Sequence, residues 1–213
     1  MYKKFILIGL LLFPFQVFAE DGYIFDLQGA VLVNGKIAEK DTTITFGDEI
    51  ITGGHSRIGL RLDGNVYRLG SRSHLTLPEG TTNITFNFIF GSLLAVFRHD
   101  SHKTIHTTTG VLGVRGTGAY LQVGSEETYL CTCYGDIDFM DNENVQNAAH
   151  IHALYHNAIT FTHSSRAFGL NQPLLGHVSE DMQALEAQAD RNCPLSFVPE
   201  NASENSVILD LKR

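Results

Sequence analysis

The stretch Ser-Arg-Ile-Gly-Leu-Arg-Leu-Asp-Gly-Asn-Val-Tyr-Arg-Leu, residues 56–69, decides the fold class. Ile58, Leu60 and Leu62 alternate with Gly59 and Arg61, a period of two that lines one face of an extended strand with apolar side chains. Asp63-Gly64 follows, and both residues tolerate the positive φ that a two-residue hairpin turn demands. Val66 to Leu69 then reads as the returning strand.

The same grammar extends outward in both directions. Ala30 to Val33 ends at Asn34-Gly35, Thr43 to Phe46 leads to Gly47-Asp48, and Ile50-Ile51 leads to Gly53-Gly54. Leu75 and Leu77 alternate before Pro78. Ile84, Phe86, Phe88 and Phe90 alternate with Thr85, Asn87 and Ile89, which predicts a row of aromatics on one sheet face. Gly91 interrupts before the apolar run Ser92 to Phe97, and Tyr120 to Val123, Thr128 to Tyr134 and Ile137 to Phe139 complete the series. Turn signals recurring every ~8–12 residues mark an all-β sandwich or roll. Composition agrees: Trp is absent, Pro numbers 5 and Phe 14, a mixture that favours strands.

The strand-rich region, residues 20–140, is therefore expected to be one β domain, and residues 141–213 a C-terminal extension. Asp141 to Asn147 is a polar loop and His150 to Phe161 a last extended stretch. A short helix is expected over about 179–192, with Ser179 as N-cap, Glu180 and Asp181 at the positive end of its dipole, and Met182, Leu185 and Ala189 on one face. Val207 to Leu209 is a candidate docking strand.

Residues 1–19 read as a cleaved signal peptide. Lys3 and Lys4 precede the apolar run Phe5 to Phe13, Pro14 breaks it, and Val17-Phe18-Ala19 offers a cleavage site. The run is shorter than the ~20 residues a bilayer requires, so a periplasmic or secreted location is expected. The net charge of −8, with no basic stripe, excludes a phosphate-backbone binder and makes anionic membranes poor partners.

Several segments together resemble the FecR-like domain. They are Gly29-Ala-Val, Phe46-Gly-Asp-Glu-Ile-Ile-Thr-Gly53, Ser56 to Gly64, Ser73-His-Leu-Thr-Leu77, Gly91-Ser-Leu-Leu-Ala-Val96, Ile105-His-Thr-Thr-Thr-Gly110, Val114-Arg-Gly-Thr-Gly-Ala-Tyr120 and Gly135-Asp-Ile-Asp-Phe139. The segment around Arg115, Gly116 and Thr117 is the most specific. The resemblance implies a non-catalytic signalling, scaffold or ligand-sensing module with a protein partner in the cell envelope. Only Met1 to Lys4 precede the apolar run, which leaves no room for the cytoplasmic segment of transmembrane anti-sigma regulators, so a stand-alone exported member is expected. Arg115 has two readings: it binds an anion, or it clamps a neighbouring carboxylate and ties adjacent turns together.

Cys131-Thr-Cys133 is the most chemical local feature. On a strand both sulfurs share a face, with Cα atoms about 7 Å apart. An unstrained disulfide wants about 4.4–6.8 Å, so pairing either cysteine with Cys193 is the simpler bond in an oxidising compartment. Two buried thiols or an exchangeable redox pair are the alternatives. A metal is the sharper reading: Cys131 and Cys133 with His150, His152 and His156, or His163 beyond them, would suit zinc or copper, although the spacing follows no established zinc motif. His99, His102 and His106, among Arg98, Asp100 and Lys103, read as a solvated connection. Gly-x-Ser-x-Gly, His-Glu-x-x-His, Cys-x-x-Cys and phosphate-binding loops are all missing, and a Cys133–His dyad is the one nucleophile arrangement left, so catalysis is not expected. No cofactor is expected beyond such a metal.

Overall fold

The computed structural model describes residues 22–81, 84–99, 102–162, 167–197 and 206–211. The expected signal peptide and His163 lie outside the described residues. Among the described residues fifteen strands appear in chain order: β1 (Tyr23–Gln28), β2 (Val31–Val33), β3 (Lys36–Ile37), β4 (Glu49–Thr52), β5 (Arg57–Leu62), β6 (Asn65–Leu69), β7 (His74–Thr76), β8 (Thr85–Val96), β9 (His102–His106), β10 (Gly110–Val123), β11 (Glu127–Asp141), β12 (Asn147–Ala153), β13 (Asn157–Thr162), β14 (Ala167–Gly169) and β15 (Ser206–Leu211). One α-helix, α1 (Ser179–Gln188), and a 3₁₀ turn (Pro194–Phe197) come between the last two. The expected all-β fold with a short helical extension is the observed one.

The strands form one connected sheet, antiparallel except where β8 meets β9. Three long strands organise it. The first half of β8 pairs with β7 and β9, and its second half with β6 and β10. The first half of β10 pairs with β9, the second with β8. The first half of β11 pairs with β13, the second with β12. The sheet thus has two wings that share these strands. The first holds β1, β5, β6, β13 and β14 with the second halves of β8 and β10 and the first half of β11. The second holds β2, β3, β4, β7, β9, β12 and β15 with the remaining halves.

Each long strand changes sides where it passes from one wing to the other. Phe86 and Phe88 point into the core before Gly91, and Leu93, Ala95 and Phe97 after it. Leu112 and Val114 give way to Ala119, Leu121 and Val123 across Gly116; Leu130 gives way to Ile137 and Phe139 across Gly135. In all three strands the inward parity switches at a glycine with positive φ: 101° at Gly91, 54° at Gly116 and 89° at Gly135. One left-handed residue rotates the strand by half a period, as in a β-bulge, and glycine adopts that conformation without a Cβ clash. The result is one core cluster drawn from both wings, including Tyr67, Phe86, Phe97, Phe139 and Phe161. Each such ring stabilises by roughly 1.5–3 kcal/mol on burial.

A register shift between His74 and Leu75, which leaves Ile89 as an extra residue between Phe88 and Phe90, corrects the expected aromatic row. Phe86 and Phe88 are buried, but Phe90, directly before Gly91, is 48% exposed. Val114 to Tyr120 and Gly135 are strand interior, with β10 and β11 running unbroken through them. Residues 102–106, expected as a connection, form β9, because Ile105 pairs with Leu112 and is fully buried. The stretch His150 to Phe161 is two successive strands, β12 and β13, which pair not with each other but with the second and first halves of β11.

A second, smaller cluster sits on the outer face of the first wing. Val66, Leu94, Val96, Tyr120, Tyr129, Cys131, Cys133 and Tyr134 meet Met182, Leu185, Ala189, Cys193 and Leu195. The predicted helix face is the buried one, but α1 ends at Gln188 instead of about 192. Asp190 turns left-handed with φ 57°, Arg191 N–H returns to the Glu186 carbonyl at 3.0 Å, and Arg61 Nη1 donates to the Gln188 carbonyl at 2.8 Å. These bonds satisfy the open carbonyls of the last turn. The N-cap is Val178 rather than Ser179, with Val178 N–H donating to Asp181 Oδ2 at 3.0 Å. No helix among the described residues is long and apolar enough to cross a membrane.

Candidate metal centre

Cys131 and Cys133 lie on β11, before its parity switch, so both sulfurs leave the main core and point at the helix-covered face. Their Sγ atoms are 3.8 Å apart. All three cysteines are buried free thiols, so the expected disulfide with Cys193 does not form, nor does a 131–133 bond. The extended backbone of β11 keeps the first pair too far apart to bond. Cys193 packs into the apolar cluster beside α1 instead.

Two imidazoles complete the group. His156 sits in the β12–β13 turn with φ 28°, a strained position for a residue with a Cβ, and its N–H donates to the Cys133 carbonyl at 2.9 Å. That bond places His156 Nδ1 3.5 Å from Cys131 Sγ. His177 comes from the connection between β14 and α1, and its Nε2 lies 3.3 Å from Cys133 Sγ. The preceding Gly176 has φ 68°, and a Cβ there would run into the Tyr120 hydroxyl and ring. The chain can therefore press close enough for His177 to stack on Tyr120, with ring centres 4.6 Å apart and planes 20° apart. Donor atoms of Cys131, Cys133, His156 and His177 all lie within 4.8 Å of one another.

His177 is held in the tautomer that a ligand needs, and Ser179 offers His156 a partner for the same arrangement. His177 Nδ1–H donates to the Leu175 carbonyl at 2.9 Å, which leaves the Nε2 lone pair facing the sulfurs. His156 Nε2 is 3.0 Å from Ser179 Oγ, which also bonds the Tyr155 hydroxyl at 3.0 Å. A proton on Nε2 shared with that oxygen leaves Nδ1 free to coordinate. Ser179 is thereby spent on His156 and not on capping α1.

The electrostatics match. Burial opposes ionisation of Cys131, but hydrogen bonding with Cys133, His156 and His177 outweighs it and holds this thiol well below the ordinary range. Burial first, then the bond to Cys131 and its charge, push Cys133 well above it. His177 is drawn down by burial, yet its bond and attraction to Cys131 prevail and raise it. The four groups thus gather one thiolate around shared protons, the ensemble that a thiophilic cation displaces protons from.

Of the described histidines expected near these sulfurs, only His156 is brought in. His150 and His152 lie on the far side of Gly135, where β11 has changed parity. They pair with Asp138 at 2.7 Å and Asp136 at 2.8 Å on the outer face of the second wing. His177 was missed, since no local pattern around Gly176-His177-Val178 marks it. The Gly just before it, a close-approach residue in a polar connection, is the one signal that could have drawn attention.

No protein-family model matches the chain, and no curated protein sequence matches it. Two crystal structures of a candidate anti-sigma factor from Parabacteroides distasonis are similar at 14% identity and a TM-score of 0.49, covering 56% of this chain and 57% of that one.

Proposed function

We propose that this chain is a non-catalytic, FecR-like β module of the cell envelope that binds one zinc-class ion through Cys131, Cys133, His156 and His177. The reading of an exported binding or sensing module rests on the sequence resemblance and the signal-peptide pattern. The metal rests on one observation, the convergence of two sulfurs and two imidazole nitrogens. Tetrahedral zinc, with Zn–S near about 2.3 Å and Zn–N near about 2.0–2.1 Å, sets neighbouring sulfurs about 3.8 Å apart and sulfur–nitrogen neighbours about 3.5 Å apart. The sulfurs stand 3.8 Å apart and the two sulfur–nitrogen pairs 3.5 and 3.3 Å apart.

Two thiolates and two imidazoles at such spacing favour zinc over harder cations. Four protein donors fill a tetrahedron, as in structural sites, whereas catalytic zinc keeps a position open. The ion's role is then to fasten the segment around His177, and with it α1, to the outer face of the first wing. The test is metal analysis of the full chain purified under reducing conditions and equilibrated with micromolar free zinc. One equivalent per chain is expected, falling below a tenth of that in Cys131→Ser and in His177→Ala. Wild-type protein that takes up no zinc, or zinc retained in both variants, would sink the proposal.

A further inference from the structure

Arg115 is the other residue that the sequence singles out, and its two readings can now be separated. On β10 its cross-strand neighbour is Asp136 of β11. The carboxylate of Asp136 is committed elsewhere, to His152 Nδ1 at 2.8 Å and towards His150 Nε2 at 3.5 Å. Among the described residues the exposed Arg115 guanidinium has no hydrogen-bond or ion-pair partner, which favours the anion-binding reading.

The local backbone is built to hold Arg115 where it is. The β10–β11 register shifts between Arg115 and Gly118, and bulges of this kind re-aim a side chain. Thr117 Oγ1 pins the bulge, donating to the Arg115 carbonyl at 2.7 Å or the Asp136 carbonyl at 2.9 Å and accepting from Asp136 N–H at 3.2 Å. Gly116 lets the chain pass against His99, whose ring would collide with any Cβ there.

This corner opens on a cavity of about 330 Å³. Arg115, His99 and the Asp136–His152 pair form its polar rim, and Tyr134, Leu154 and Pro194 supply apolar wall. A second cavity of about 450 Å³ shares His99 and carries Arg61, Arg98 and Arg191. Four of the chain's nine arginines thus gather here in a protein of net charge −8. Three of them have a carboxylate of their own: Asp190 for Arg61, Asp63 for Arg98 and Glu186 for Arg191. Among the described residues Arg115 is the member with no carboxylate of its own.

We infer that the cavity between Arg115 and His99 binds a small organic monocarboxylate, its carboxylate on the Arg115 guanidinium and its apolar body against Tyr134, Leu154 and Pro194. The planar guanidinium fork matches a carboxylate with two parallel hydrogen bonds. A dianion fits worse, because its second charge would face Asp136. The size falls within the range of small-molecule sites, and apolar wall with few polar groups is their usual make-up. This site shares no donor with the metal centre and stands independently of it.

Benzoate is the probe. Titrated into the ¹⁵N-labelled full chain, it should shift the Gly116 and Gly135 amides saturably, with acetate and benzyl alcohol each at least tenfold weaker. Arg115→Ala should weaken benzoate at least tenfold with an unchanged melting temperature, and Arg115→Lys should fall between, since an ammonium cannot form the paired bonds. Absence of saturable shifts at the two glycines in the wild type would overturn the inference. So would an affinity unchanged in Arg115→Ala, or acetate binding as tightly as benzoate.

Discussion

His177 Nε2 stands 3.3 Å from Cys133 Sγ although 44 residues separate them in the chain. The contact is made by a connection that crosses the outer face of the first wing before α1 begins. Tyr129 holds that connection from below, its hydroxyl donating to the Pro173 carbonyl at 2.9 Å and accepting from Leu175 N–H at 3.2 Å. A metal ion at the sulfurs would make the same fastening far stronger, since its binding free energy adds to the stability of the state that binds it.

Metal removal should therefore act locally. Stripping zinc with a chelator is expected to raise amide exchange in residues 172–190 while β10 and β11 stay protected, and to make the melting temperature depend on free zinc. Hydrogen exchange followed by mass spectrometry reads both regions at once. Equal loss of protection in β10 and in α1 would show that the ion supports the whole sheet and not one strap.

Ser179 gives a finer prediction, because it touches His156 and not the ion. Ser179→Ala removes the oxygen that bonds His156 Nε2, and such outer partners typically matter by about 10–100-fold in metal affinity. Competition against a chromophoric chelator should show zinc affinity reduced within that range, with one equivalent still bound at saturation. A change smaller than threefold would assign the orientation of His156 to its own turn.

How much of this was legible in the residues themselves follows from where parity is kept. The hairpin over 58–69 was, because Asp63 and Gly64 do adopt φ 49° and 67° and the alternation runs without interruption. So was the shared face of Cys131 and Cys133, which lie on one side of the Gly135 switch. His150 and His152 were misplaced because they pair with β11 beyond that switch, where the faces have exchanged. His177 was invisible for a different reason: alternation reports what a strand offers, not which distant segment comes to lie on it. The helix face of Met182, Leu185 and Ala189 was legible, since 3.6-residue periodicity is local. Its early end was not, because the stop is set by Arg61 from the sheet.

Alkaline pH offers a test of the helix contact from the other end. Tyr134 is buried and donates to Glu186, whose other oxygen accepts from Arg191 Nε at 2.7 Å. Burial, and then the charge and hydrogen bond of Glu186, push Tyr134 far above its usual value. Above the unfolded value of about 10, the unfolded chain releases a proton that the folded chain keeps, so stability is full below about pH 10 and falls as pH rises beyond it. Urea denaturation between pH 9 and 11.5 should show this fall, and Tyr134→Phe should flatten it by up to about 1.4 kcal/mol per pH unit. The wild-type slope will not vanish in the variant, because Tyr67, Tyr120 and Tyr129 are also raised, in each case first by burial. An identical slope in wild type and variant would mean that Tyr134 ionises freely in the folded state.

The two-wing arrangement itself predicts opposite signs for one chemical change at two strand glycines. Gly91 sits at the switch of β8 with φ 101°, and an added Cβ would meet the Ser73 backbone and stand 2.7 Å from the Arg72 carbonyl oxygen. Neither neighbour is the end of a flexible side chain, and both belong to the turn before β7. Gly91→Ala must therefore combine a disfavoured backbone with a collision, a cost on the order of 3 kcal/mol. Gly113 lies in the first half of β10, away from the switch, with ordinary φ, and an added Cβ would find only the Asp138 side chain, at 3.7 Å and beyond. There the alanine restricts the unfolded chain and clashes with nothing, so Gly113→Ala should stabilise by about 0.5 kcal/mol. Urea midpoints of the two variants measured side by side settle the matter. If Gly91→Ala proved as stable as the wild type, β8 could change sides without a left-handed residue, and the glycine switches would no longer explain how the three long strands serve both wings.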